Sequence, residues 1–266
     1  MKTVVITGSA RGLGLEMAKN FKQNNLNVVL SDINEEKLIE AKEIVDNIGS
    51  FSKVEYCICD VTKTNDILNL IKFSLDNFGC IDIWINNAGV NQPNKAIWEL
   101  SEKEIEAIFD IDLKGTVISS KLVMETMIKE KHGAIYNIEG YGSNDAKMLG
   151  LSIYGTSKRA ITYFTEALAK ESEERNTGII VGKLSPGIMI TDFITNALGN
   201  KEKIDLPDST KKVYNILGDY PNVVAEFLVK EILNNKKNNA KIEWLTTRKA
   251  AWRFMTSSFN KRNFFE

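Results

Sequence analysis

The sequence predicts a doubly wound α/β fold, a seven-stranded parallel sheet with helices on both faces. Two observations carry that prediction. Short apolar runs alternate with longer amphipathic ones along most of the 266 residues, and such alternation gives parallel strands joined by right-handed crossovers. Most of the short runs are continuously apolar, as expected of strands covered on both faces.

The elements follow in order. TVVIT (3–7) reads as the first strand and runs through a glycine-rich loop into a helix over 12–24. NVVLS (27–31) is the second, followed by a helix over 35–48 that Asn34 can cap. VEYCI (54–58) precedes a helix over 63–78, with Thr62 as its candidate cap. IDIWIN (81–86) precedes a helical pattern over 101–130, opened by Ser101 and Glu104 at the spacing of a capping box. AIYNI (134–138) and a helix over 151–175 come next, then IIVGKL (179–184). The alternation breaks after Pro186, and 188–220 reads as an insertion of short helices and loops suited to a substrate lid. A helix over 221–235 and a strand at KIEWL (241–245) complete a domain spanning 1–247.

The tail, 248–266, differs in character. From 241 onward there are six Lys and Arg against two acidic residues, and Ala251, Met255 and Phe259 share one helical stripe with Trp252 alongside. A basic amphipathic helix can lie on a membrane surface. Packing on its own domain or on a partner subunit is the expectation here.

Bulk properties narrow the function. The length suits one large domain with a sizeable core. A formal net charge of −1 argues against a nucleic-acid partner. No run approaches the roughly 20 apolar residues of a membrane span, and MKTVVITG is a strand entering a glycine loop rather than a targeting leader. Three cysteines, Cys57, Cys59 and Cys80, show no CxxC spacing, which argues against a disulfide framework. His132 is the one histidine and has no partner ligand beside it in sequence, so no metal site is expected. A cytoplasmic location is the default.

The first loop carries chemistry. Gly8, Gly12 and Gly14 lie between strand 1 and helix 1, with Ser9, Arg11 and Leu13 among them. Glycines there let the backbone approach a pyrophosphate, and the helix amino-terminal amides point at the anion, as in a Rossmann-type dinucleotide site. Asp32 follows strand 2, where an acid can accept from the adenosine ribose hydroxyls and repel a 2′-phosphate. Ile33, not a cation, follows it. NAD(H) is therefore favoured over NADP(H), although Arg11 could meet a 2′-phosphate.

A second constellation lies in NIEGYGSNDAKMLGLSIYGTSK (137–158). Tyr154 and Lys158, at i and i+4, share one helix face. A free tyrosine has a pKa of about 10, and a neighbouring ammonium favours the phenolate, so Tyr154 can act as general acid or base. A second hydroxyl would stabilise the charge developing on a carbonyl oxygen. Ser143, Ser152 and Ser157 are available; Ser143 is preferred, because Ser157 points to another helix face and Ser152 is too close to the helix start.

These motifs resemble the short-chain dehydrogenase/reductase family. The resemblance rests on TGSARGLG (7–14), DV (60–61), NNAG (86–89), YGTSK (154–158) and SPGIMIT (185–191), in the family's order over nearly the whole chain. Within the family the chain is most similar to the chlorophyll b reductase branch and its bacterial relatives, through NIEGYGS, LSPGIMITDF, EWLT and the ending KRNFFE. The resemblance implies hydride transfer between a nicotinamide cofactor and a small-molecule carbonyl or alcohol, with Lys158 also holding the nicotinamide ribose. It implies that Asp60 and Val61 flank the adenine, that Asn87, Ala88 and Gly89 line the cofactor trough, and that Pro186, Gly187 and Thr191 lie along the nicotinamide side. It also implies a homodimer or homotetramer built on helices 101–130 and 151–175. Two departures stand out: Glu139 and Gly140 occupy the place of the family's serine, and Asp112 stands where an asparagine usually anchors a proton relay. They motivate a competing reading, a non-catalytic NAD(H)-binding module.

Overall fold

In the computed structural model, which describes residues 1–191, 208–259 and 262–265, seven strands form one sheet. They are β1 (Thr3–Thr7), β2 (Asn27–Asp32), β3 (Val54–Ile58), β4 (Ile83–Asn86), β5 (Ala134–Ile138), β6 (Ile180–Ser185) and β7 (Lys241–Glu243). All pairings are parallel, in the order β3-β2-β1-β4-β5-β6-β7. The chain winds outward from β1 to β3, returns to β4 on the other side of β1, and winds away again. The order therefore reverses between β1 and β4, the position at which such sheets bind ligands beyond their carboxyl ends.

Alternation along each strand divides the core into two layers. Val4 and Ile6, Val28 and Leu30, and Ile83 and Ile85 face one side. There they meet α1 (Gly12–Gln23), α2 (Glu35–Asp46) and α8 (Pro221–Asn234) through Phe21, Leu38 and Leu228. Val5, Val29 and Trp84 face the other side. They meet α3 (Thr64–Phe78), α5 (Gly115–Glu130) and α6 (Ser152–Glu174) through Leu70, Met127 and Ala169. Both faces are apolar, so the strands lack the one-sided alternation of an exposed sheet.

Three elements differ from the sequence reading. The pattern over 101–130 is not one helix: α4 (Glu102–Ile108) passes into a π-helical turn, Phe109–Lys114, before α5 resumes. The wider turn carries Asp112 into the interior, where it is fully buried. Thr62 does not cap α3; the cap residue is Lys63, and Asp60 instead accepts from the Thr62 amide and hydroxyl at 3.0 and 2.7 Å. β7 stops at Glu243, and Trp244 then donates its amide to Ser185 at 3.0 Å. The expected caps at Asn34 and Ser101 form, the latter with Glu104 reciprocating.

Of the insertion at 188–220, residues 192–207 lie outside those described. Met189 bridges to Asp219, and α7 (Asp208–Leu217) follows. The tail contains α9 (Thr247–Thr256), capped by the Thr246 hydroxyl.

Candidate active site

A cleft of about 1470 Å³ opens beyond the carboxyl ends of β1, β4 and β5. A pocket for one drug-sized ligand holds about 300–1000 Å³, so this cleft has room for a dinucleotide and a second molecule.

The glycine loop forms one end. Gly8 and Gly12 have positive φ, 63° and 58°. A Cβ on Gly8 would lie 2.7 Å from Ala88 Cα, and one on Gly14 would lie 2.5 Å from Gly8 O. The loop is therefore pressed against both NNAG and its own helix, and only glycine fits. Gly8, Arg11, Gly12 and Leu13 line the cleft; Gly14 lies behind them as packing. Ser9 does not reach the cleft either. Its hydroxyl is buried, donating to Ile6 O at 2.8 Å and accepting from the Ser31 amide at 2.8 Å, which ties the loop to β1 and β2.

Asp32, Asp60 and Val61 continue the wall, with Ile33 and Lys37 beside Asp32. Asn87 is held by its side-chain amide, which donates to Thr7 O at 2.9 Å and to Gly8 O at 2.8 Å. Asn87, Ala88 and Gly89 line the cleft, as do Pro186, Gly187 and Thr191. The cofactor residues expected from the sequence thus converge on one trough, except Ser9 and Gly14, which build it from behind.

Tyr154 and Lys158 sit at the other end, on one face of α6 and both nearly buried. Lys158 Nζ lies 2.9 Å from Asp112 Oδ2, and Asp112 Oδ1 accepts from the Val90 amide at 2.8 Å. Asp112 lies outside the cleft surface, behind Lys158. Burial pushes the Tyr154 phenol up to about 12; Lys158 pulls it down, while Asp112 and Tyr214 push it up. The expected phenolate-favouring effect of Lys158 is present, but burial outweighs it and Asp112 offsets the ammonium. Burial alone would lower Lys158, yet Asp112 and Tyr154 raise it.

The candidate serines take local hydrogen-bond partners. Ser143 Oγ accepts from the Gly140 amide at 3.1 Å and donates to Lys158 O at 3.4 Å. It ties the strand exit to α6 and is not among the residues that line the cleft. Ser157 is turned to Tyr154 O at 2.8 Å. At Gly140 a Cβ would lie 2.4 Å from Tyr154 Oη. The tyrosine hydroxyl therefore fills the space that a side chain at 140 would need. Glu139 is buried rather than facing solvent; it accepts from Thr162 Oγ1 at 2.9 Å, lies 3.7 Å from Lys241 Nζ, and borders the cleft.

Two residues at the site carry no motif. Gln92, 1% exposed, accepts from the Ile153 and Tyr154 amides at 2.8 and 3.1 Å. It caps α6 from a distant loop, because Leu151 at the cap position offers no acceptor. That missing cap was the one available signal. Tyr214, on α7, lines the cleft with Tyr141, Leu149, Leu151, Ile190 and Val213, and nothing in its spacing marks it.

At the amino end of the sheet, away from the cleft, the fold brings His132 beside the neighbours Cys80 and Asp82. Cys80 Sγ donates to Asp82 at 3.4 Å, and His132 Nε2 lies 3.7 Å from the same carboxylate. Both therefore meet Asp82, and the three ligand atoms lie within 4.8 Å of one another. No described helix is long and apolar enough to cross a membrane.

Comparison with known proteins agrees with this fold. Residues 2–202 match the family described as short chain dehydrogenase. A probable chloroplastic chlorophyll(ide) b reductase of Arabidopsis thaliana is 29% identical across 100% of this chain, which spans 55% of that protein's length. A chloroplastic chlorophyll(ide) b reductase of Oryza sativa is 31% identical over 93% of this chain and 72% of its own. A diacetyl reductase [(S)-acetoin forming] of Staphylococcus epidermidis is 33% identical over 78% of each. Among solved structures, levodione reductase superposes with a TM-score of 0.81 at 21% identity, covering 94% of this chain and 98% of that one. The chain spans about half the length of its Arabidopsis relative, yet the family match covers most of its own residues, and it belongs to the short-chain dehydrogenase/reductase family of oxidoreductases.

Proposed function

We propose that the protein is an NAD(H)-preferring carbonyl reductase or alcohol dehydrogenase. One observation carries the reading: Tyr154 and Lys158 share a buried face at the end of a trough whose other end is the glycine cradle. The cradle fits a dinucleotide, since any Cβ at Gly8 or Gly14 would collide with backbone. When bound, the nicotinamide supplies the hydride. Tyr154 gives a proton to the carbonyl oxygen in reduction and takes it back in oxidation. Lys158 holds positive charge beside Tyr154, and Asp112 fixes that ammonium in place. Ser143 holds the strand exit in shape rather than facing the reacting oxygen.

Asp32 at the ribose end supports NAD(H), against Arg11 and Lys37 on the same wall. The substrate end is apolar, which suits an apolar carbonyl compound. The relatives' names, diacetyl reductase and chlorophyll(ide) b reductase, also point to carbonyl substrates. The reading includes a homodimer or homotetramer built on α5 and α6. Three free cysteines fit a reducing cytoplasm.

The test is carbonyl-dependent NADH oxidation, with diacetyl and larger cyclic diketones as probes. Tyr154→Phe is expected to lower kcat by about 10²–10⁴ while NADH still binds. The position of Ser143, outside the cleft, favours a second reading, a non-catalytic NAD(H)-binding module. NADH binding without turnover in the wild type would establish that reading, and undiminished turnover in Tyr154→Phe overturns the catalytic assignment.

A further inference from the structure

The tail's apolar stripe faces outward: Met255 is 72% and Phe259 89% exposed. What joins the tail to the domain is polar and aromatic. Arg253, on α9, donates to Asp219 Oδ2 at 2.7 Å and Oδ1 at 3.1 Å. Arg262 donates to Asp219 Oδ1 at 3.1 Å, and the Trp244 indole donates to Oδ2 at 2.6 Å. Asp219 is 8% exposed, so two guanidiniums converge on one nearly buried carboxylate. Such charge-assisted pairs are strong where solvent is excluded.

The same arginines satisfy the last carbonyls of α7. Arg253 reaches Leu217 O at 2.8 Å, and Arg262 reaches Gly218 O at 2.9 Å and also Ile216 O. Cations at a helix carboxyl end stabilise it through these orphan acceptors and the helix dipole. Beyond Arg262, Phe264 meets Tyr220 edge-on at 5.1 Å and Phe265 stacks on Tyr214 at 6.3 Å. The Phe264 amide donates to Asn215 Oδ1 at 2.9 Å.

The inner side of this assembly is the substrate wall. Val213, Tyr214 and Leu217 of α7 line the cleft. The Asp219 backbone exchanges hydrogen bonds with Ile188 and Ile190, both at 3.0 Å, and these also line it. The tail therefore grips, from outside, the elements that bound the substrate from inside.

We propose that Arg253 and Arg262 are positioning residues for substrate selectivity. Through Asp219 and the carboxyl end of α7, they hold Tyr214 and Val213 at the depth that limits substrate size. The proposal rests on the carbonyl reductase reading for its kinetic consequence, but not for its structural one.

The test uses the full chain with Arg253→Met, Arg262→Met and the double variant, since methionine keeps much of the side-chain volume. Three measurements are made: hydrogen exchange of 208–217, NADH affinity, and kcat and KM for diacetyl and for a bulky cyclic diketone. The double variant is expected to lose roughly tenfold in exchange protection over 208–217. NADH affinity should be unchanged. The selectivity ratio, bulky over small in kcat/KM, should rise by about tenfold through KM, the range that one methylene of pocket space commands. Unchanged protection overturns the grip. Lost protection with an unchanged selectivity ratio overturns the selectivity role. Absence of carbonyl reduction in the wild type removes the reductase reading and the selectivity role with it, while exchange alone still decides whether the tail holds α7.

Discussion

Asp112 is the residue whose chemistry most alters the site. An asparagine there would accept from Val90 and leave Lys158 unpaired; the aspartate adds a charge 2.9 Å from the ammonium. That charge raises Tyr154 in addition to the larger effect of burial. A phenol held near 12 stays protonated at neutral pH, the state a general acid needs for carbonyl reduction. Oxidation of an alcohol needs the phenolate, and its rate should rise with pH. Asp112→Asn removes a charge that raises the phenol, so the rising limb of kcat/KM for oxidation should move to lower pH, by about one unit. A pH profile measured with a secondary alcohol and NAD checks this, and a limb that stays put or moves upward refutes it. Ser143 gives a second test at this scale. A lost oxyanion donor lowers kcat by about 10²–10³, whereas a lost loop hydrogen bond lowers stability by about 1 kcal/mol. Ser143→Ala should show the second pattern in urea denaturation, with kcat nearly retained.

At the scale of elements, local patterns were legible and cross-chain ones were not. The glycine loop and the Tyr154–Lys158 pair could be read because their spacing lies within one turn or one helix face. The π-helical turn at Phe109–Lys114 could not. One wide turn leaves the apolar pattern of the flanking helices intact, so 101–130 reads as continuous. The cap of α6 was hidden for another reason: its acceptor, Gln92, lies 62 residues before Tyr154. Likewise, the tail's polar contacts were not legible, because Arg253 finds its partner only once α7 is placed. Gln92→Ala should lower stability by about 1–2 kcal/mol, the range for a lost amino-terminal cap. Gln92→Glu should recover most of that loss, since a carboxylate accepts the same amides and suits the positive helix end. Chemical denaturation of the three proteins decides it; equal stability of wild type and Gln92→Ala removes Gln92 as a cap.

At the scale of the molecule, the trough runs from Asp32 on β2 across β1 and β4 to Tyr154 and Lys158 on α6, beside β5. A ligand lying along it touches both halves of the sheet and binds only when they are folded together. Binding to the native state alone adds about 2.7 kcal/mol at a hundredfold excess over Kd, so the melting temperature should rise with NADH. The proposed preference for NAD(H) rests on the charges beside Asp32. Asp32 meets a 2′-phosphate with like charge, and its neighbour Ile33 offers no compensation. Arg11 and Lys37 lie on the same wall, but both are side chains at the solvent edge of the cleft, where water and salt screen them more than they screen the half-buried Asp32. At equal concentration NADPH should therefore raise the melting temperature less than NADH. Asp32→Ala should narrow or invert that difference, because the repulsion is gone while both cations remain. Thermal melts of the two proteins with each cofactor, repeated at high salt, measure it. A larger shift with NADPH in the wild type would show that Arg11 and Lys37, not Asp32, set the preference.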